Sequence, residues 1–186
     1  MLKPTTVLRR FIEEAENTYG PKLRYSSVAL VPEGEISNPF TSFCTDETNQ
    51  SRMAIVLLGE RTFADEALAE YQLAHEAIHC LAGSMPTTCL EEGLATHFSL
   101  HNSVINGDRA KRLENVLDQE RTAYLALIRQ LLCKWPNAIR DLRHGGARPF
   151  GEIKIAELVE YGVSQELAEI LCKSTDEWRT LRLPGS

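Results

Sequence analysis

The chain lacks three features that would point to a membrane, to an extracellular setting or to nucleic acid. No apolar run approaches the ~20 residues that a membrane-spanning helix requires, and residues 1–6 contain no apolar core of a signal peptide. The 20 Lys and Arg residues are outnumbered by 26 Asp and Glu, for a net charge of −6, whereas nucleic-acid binding favours a basic surface. We therefore expect a cytoplasmic protein with no membrane and no nucleic-acid partner.

Cysteine is sparse in this chain. The five cysteines are odd in number, widely spaced and without a CxxC pair. This pattern is typical of reduced, buried thiols in a cytosolic protein and not of a disulfide framework. Cys80 and Cys89 flank the motif described below. Packing as small hydrophobic side chains, metal ligation by Cys89 and redox pairing of the two thiols all remain open.

The composition is that of an ordinary globular protein. Hydrophobic residues make up 43% of the 186 residues and charged residues 25%. This length is enough for one domain with a sizeable core, so a single domain spanning 1–186 is predicted. Neither length nor composition indicates the oligomeric state.

The most informative segment is 75–79, His-Glu-Ala-Ile-His, an HExxH motif within a stretch of helical periodicity. Residues four apart lie on the same face of an α-helix, so His75 and His79 can bind one metal ion. Glu76 follows the first ligand directly, where its carboxylate can accept a proton from a water molecule at the metal. Two imidazoles, one base and an open coordination position are the functional groups of a zinc hydrolase.

A second helix is predicted to begin near Thr88 and to supply a third ligand. The motif helix itself is expected to start at Thr62 as N-cap, with Asp65 in its first turn, and to end at Gly83. Residues 88–91, Thr-Cys-Leu-Glu, then form a capping-box pattern, which would engage the Glu91 side chain at the cap. Glu92 points about 100° further round the helix. Glu92 is therefore favoured over Glu91 as the metal ligand.

The rest of the chain predicts a small N-terminal sheet and a mainly helical C-terminal half, an α+β fold. The interval 35–50 contains few apolar positions and is predicted to be a loop. Strands are predicted at 23–31 and 53–58, and helices at 5–18, 109–132, 136–144, 152–161 and 164–173.

Residues 53–101 resemble the gluzincin branch of the zincin metallopeptidases. The resemblance is carried by HExxH together with residues 90–95, Leu-Glu-Glu-Gly-Leu-Ala, in which Glu92 stands at the position of the glutamate ligand. It implies a zincin-like fold in which the strand at 53–58 is an edge strand that pairs with an extended peptide. It also implies a downstream Tyr or His that stabilises the oxyanion. The candidates are His144, Tyr161 and Tyr124.

The leading hypothesis is a zinc metallopeptidase that hydrolyses a peptide or protein substrate. His75, His79 and Glu92 would bind Zn²⁺, although Mn²⁺, Co²⁺ or Ni²⁺ can occupy the same donors. Glu76 would act as general base and then pass the proton to the leaving amine. Two alternatives remain open, a peptide-binding module of zincin fold with little turnover and a hydrolase of non-peptide amides. Thr96, one turn after Glu92, is a candidate for orienting a ligand.

Overall fold

The computed structural model describes residues 3–23, 25–30, 39–46, 51–59, 64–82, 86–103 and 119–180. These residues form a mixed α/β fold dominated by helices. In chain order the elements are α1 (Pro4–Tyr19), β1 (Ser26–Leu30), β2 (Phe40–Asp46), β3 (Ser51–Leu57), α2 (Glu66–Ala82), α3 (Cys89–Asn102), α4 (Gln119–Lys134), α5 (Ala138–Leu142), a 3₁₀ turn (Phe150–Glu152), α6 (Ile155–Glu160), α7 (Gln165–Leu171) and α8 (Thr175–Thr180).

The three strands form one sheet in the order β1-β3-β2. β1 pairs with β3 in parallel, and β2 pairs with β3 antiparallel. The prediction that 53–58 is an edge strand was therefore wrong, because β3 lies between the other two strands. A central strand of a small sheet needs apolar side chains on its covered face, and Ala54 and Val56 are fully buried.

The prediction of a loop over 35–50 was wrong for residues 40–46, which form β2 and the edge of the sheet. Residues 35–38 and 47–50 lie outside the described part of the chain. The strand reads Phe-Thr-Ser-Phe-Cys-Thr-Asp, in which aromatic and β-branched residues favour extended backbone even though few are aliphatic. Its register places Thr41 opposite Val56 and Phe43 opposite Ala54, so these side chains share the sheet face that packs on the helices.

The predicted helix at 5–18 is confirmed as α1, which buries one apolar stripe. Leu8, Phe11, Ile12 and Ala15 recur at helical spacing and are at most 2% exposed. This stripe packs against α2 and the inner sheet face and joins the main hydrophobic core. The core thereby holds the motif helix between the sheet on one side and α3 on the other.

Helix α2 begins at a different cap from the predicted one. Asp65 accepts hydrogen bonds from the backbone N–H groups of Ala67 and Leu68 through Oδ1 (3.0 and 3.1 Å), so Asp65 caps the helix. The predicted cap, Thr62, and the predicted stop, Gly83, lie outside the described residues.

Helix α3 begins as predicted and packs closely on α4. Thr88 is its N-cap, and its hydroxyl accepts a hydrogen bond from the Glu91 N–H. Gly93 makes the close approach possible, because a Cβ at this position would lie 2.5 Å from Ile128 Cγ1 and 2.8 Å from the Tyr124 carbonyl oxygen.

The described part of the C-terminal half, residues 119–180, is mainly helical, as predicted. Of the helix predicted at 109–132, residues 119–134 are described and form α4; residues 104–118 lie outside the described ranges. The helix predicted at 152–161 is shorter and follows a 3₁₀ turn, and the helix predicted at 164–173 is α7, capped by Ser164. Within the described ranges, none of the helices is long and apolar enough to cross a bilayer.

Candidate metal centre

The two motif histidines lie side by side on α2. Their Nε2 atoms are 3.3 Å apart, and their ring centroids are separated by 5.1 Å. Both side chains are largely shielded from solvent, with 10% of His75 and 13% of His79 exposed. The helical i, i+4 spacing therefore presents two imidazole nitrogens to one point, as the motif predicted.

Glu92 on α3 completes a three-residue donor set. Its Oε1 lies 3.3 Å from His75 Nε2, and its Oε2 lies 3.5 Å from His79 Nε2. One donor atom from each of the three residues lies within 4.8 Å of the other two. Donors that are 2.0–2.1 Å from a tetrahedral zinc ion are about 3.3 Å from one another. The observed spacings fit such an ion, and the donors are those that zinc prefers.

Glu91 does not have the side-chain role that the capping box predicted. Its N–H donates to Thr88 Oγ1 as expected, but its carboxylate Oε1 lies 2.7 Å from His79 Nδ1. The carboxylate thus turns toward α2, where it accepts a hydrogen bond from Nδ1–H of His79. When the imidazole is neutral, that bond favours the tautomer whose Nε2 lone pair faces His75 and Glu92. Glu91 is only 1% exposed, so the contact is buried.

The charges of these side chains are strongly coupled. Burial disfavours the protonated form of His79, yet the hydrogen bonds that its ring donates to the Glu91 and Glu92 carboxylates outweigh it and hold the His79 pKa well above its usual value. Burial also disfavours ionisation of Glu92, but the positive field of the two imidazoles keeps the Glu92 pKa well below its usual range. Burial raises the pKa of Glu91. Glu92 is thus the carboxylate whose ionised form its surroundings stabilise.

Glu76 lies in the same cavity and contacts the edge strand. The cavity has a volume of about 200 Å³ and is lined by the three donors, Glu76, Glu91 and Thr87, and by Pro39, Phe40, Thr41 and Phe43 on the side of β2. Thr41 Oγ1 donates a 2.6 Å hydrogen bond to Glu76 Oε2. The candidate base therefore faces the donor set from one side and β2 from the other.

The three candidates for oxyanion stabilisation lie away from this cavity. His144 is exposed and adjoins Arg148 and Glu157, and Tyr161 donates a hydrogen bond to Asp141. Tyr124 is buried against Cys89 of α3. None of them lines the cavity that contains Glu76.

Thr96 and the second histidine pair do not approach the donor set. The Thr96 hydroxyl donates to the Glu92 backbone carbonyl oxygen at 3.0 Å, so it does not orient a ligand side chain. His97 and His101 stack on one another at 4.2 Å between ring centroids. Neither of them lines the cavity that contains the donor set.

Cys80 and Cys89 are both buried, free thiols. Neither belongs to the donor set of His75, His79 and Glu92. Burial raises the pKa of both thiols, which keeps them protonated and unreactive. Packing as small hydrophobic side chains therefore accounts for both.

Comparison of the chain with protein-family models, with curated proteins and with solved structures finds no match. The functional inference therefore depends on the donor set, on Glu76 and on the neighbouring strand.

Proposed function

We propose that this protein is a zinc-dependent metallopeptidase with a zincin-like fold of the gluzincin type. The observation that carries the proposal is the convergence of His75, His79 and Glu92 at spacings that fit one tetrahedral ion. Two histidines and one carboxylate leave a coordination position free, whereas structural zinc sites are usually closed by four protein ligands. A cytoplasmic location is part of the same proposal.

Glu76 and Glu91 have different roles in the proposed hydrolysis. When bound, zinc lowers the pKa of a water molecule to about 7 and polarises a carbonyl group. Glu76 accepts a proton from the attacking water and delivers it to the leaving amine. Glu91 holds His79 in the tautomer that ligation requires, at 2.7 Å between Oε1 and Nδ1.

The edge strand β2 is suited to hold an extended peptide beside the site. At the opposite edge of the sheet, Thr5 of α1 already forms hydrogen bonds with the backbone of β1. Its Oγ1 accepts from the Ala29 N–H at 3.1 Å and donates to the Ala29 carbonyl oxygen at 3.2 Å. Within the described ranges, no strand pairs with the outer side of β2. Backbone hydrogen bonds from this edge would align a peptide next to the cavity.

The test compares the wild-type protein with Glu76→Gln and with Glu66→Gln, each loaded with one equivalent of zinc. Glu66 is exposed at the start of the same helix, so the same substitution there serves as a matched control. Cleavage of a peptide library is followed by mass spectrometry. We expect turnover by wild type and Glu66→Gln, and at least about a 100-fold loss in Glu76→Gln with zinc content unchanged.

A wild-type protein that contains stoichiometric zinc but cleaves no peptide, and that does not differ from Glu76→Gln, would contradict the peptidase proposal. Peptide binding without turnover would then indicate a binding module that uses the same edge strand.

A further inference from the structure

Thr41 of the edge strand β2 forms a hydrogen bond with Glu76, the candidate base. It is the second residue of β2 and lies opposite Val56 of β3, whose side chain is fully buried. Residues directly opposite in a sheet share a face, so Thr41 points toward the helices and away from the outer sheet surface. Its Oγ1 reaches Glu76 Oε2 at 2.6 Å.

The chemistry of the two groups sets the direction of this hydrogen bond. An ionised carboxylate only accepts, so the hydroxyl of Thr41 must donate. Hydrogen bonds from a hydroxyl to a carboxylate are short and about twice as strong as neutral ones, and 2.6 Å is in that range. Since Oε2 of Glu76 is held in this way, Oε1 is the oxygen left to accept a proton from water.

We propose that Thr41 is a positioning residue that holds the Glu76 carboxylate for proton transfer, so that the strand facing the substrate also orients the general base. This inference rests on the proposed peptidase function. Glu76 has several rotatable bonds, and without the contact its carboxylate samples orientations in which no oxygen faces the water. Accurate placement of reacting groups is a large part of catalytic power, and small misplacements are costly.

The first experiment compares Thr41→Val, Thr41→Ser and Ser42→Ala with the wild type. Valine keeps the shape and removes the hydroxyl, serine keeps the hydroxyl, and Ser42 is the next residue on the same strand with its side chain on the opposite face. On a peptide chosen from the library screen, we expect Thr41→Val to lower kcat about tenfold with KM unchanged. We expect Thr41→Ser and Ser42→Ala to stay near wild type. An unchanged kcat in Thr41→Val, or no rescue by serine, would overturn the proposal.

A double substitution separates positioning from a general structural effect. If Thr41 acts through Glu76, adding Thr41→Val to Glu76→Gln causes no further loss of residual turnover. An additional tenfold loss in that background would show that Thr41 acts by another route. Unchanged melting temperatures of the single variants establish that the fold is retained.

A measurement that does not use turnover keeps this proposal separate from the peptidase proposal. The carboxyl carbon of Glu76 is followed by ¹³C NMR in protein labelled at glutamate, with Glu76→Gln for assignment. We expect Thr41→Val to shift this resonance, and Thr41→Ser and Ser42→Ala to leave it in place. If the wild-type protein shows no turnover but Thr41→Val still shifts the resonance, the positioning contact is supported and only the peptidase function is contradicted. An unshifted resonance in Thr41→Val overturns the positioning proposal even where turnover is present.

Discussion

At the scale of the residue, the site depends on a division of roles between two adjacent carboxylates. Glu92 faces the two Nε2 atoms, and Glu91 faces Nδ1 of His79 from the same turn of α3. One carboxylate would therefore bind the metal while its neighbour orients a ligand. Adjacent residues point about 100° apart on a helix, which is why one turn can supply both groups.

Glu91→Gln should weaken zinc binding without removing a ligand. Glutamine keeps the shape but is neutral, so it supports His79 less well as a ligand. We expect zinc affinity to fall about 10–100-fold, the usual effect of losing such an outer partner. Competition with a chromophoric chelator measures the change, and Glu160→Gln, an exposed position on α6, is the control. Wild-type affinity in Glu91→Gln would show that the contact with His79 does not matter for binding.

The sequence predicted the three residues of the donor set but little of their surroundings. His75, His79 and Glu92 follow from helical spacing and from the cap at Thr88, which are local properties of the chain. The contact between Glu91 and His79 depends on how α2 and α3 pack against one another, and no local pattern contains that information. Glu91 at a capping-box position was consistent with a purely local role, and the tertiary contact prevailed.

At the scale of the element, the placement of Glu92 depends on how closely α3 approaches α4. Gly93 follows Glu92 and has no Cβ to separate the two helices. The run of residues 90–95 therefore combines a candidate ligand, Glu92, with a packing position, Gly93. Prediction of β2 failed at this same scale, because its alternation of aromatic and small polar residues does not show which face is covered.

Gly93→Ala should destabilise the protein and weaken metal binding together. The new methyl group would lie 2.5 Å from Ile128 Cγ1 and 2.8 Å from a backbone oxygen, so the helices must move apart. Overpacking of this kind costs about 1–3 kcal/mol. Urea unfolding of the metal-free protein measures the loss.

The control for this substitution is Gly146→Ala, because a Cβ there meets its nearest neighbour at 3.6 Å, an ordinary contact. If Gly93→Ala is as stable as Gly146→Ala, α3 and α4 do not approach each other this closely in solution.

At the scale of the whole molecule, one buried arginine joins the N-terminal helix to the C-terminal half. The Arg143 guanidinium donates to the carbonyl oxygens of Tyr19, Gly20, Pro21 and Arg148 at 2.6–2.9 Å. Burial lowers its pKa to about 10, which still leaves it charged near neutral pH. The Arg143 residue is itself 1% exposed.

Arg143→Met should destabilise the whole fold, since it leaves the buried carbonyl groups of Tyr19 and Gly20 without this donor. We expect a loss on the order of 3 kcal/mol in the free energy of unfolding. Arg140→Met, an exposed position in the same short helix, is the matched control. Chemical denaturation followed by circular dichroism compares the two, and equal midpoints would show that the carbonyl cluster contributes little to stability.

The most direct test of the central claim is the zinc content of the wild-type protein and of Glu92→Ala, measured in parallel by elemental mass spectrometry after excess zinc is removed. Glu160→Ala controls for the loss of one acidic side chain. The three-ligand site predicts one equivalent of zinc in the wild type and in the control, and marked loss in Glu92→Ala. Little zinc in the wild type, or equal zinc in all three proteins, would contradict it.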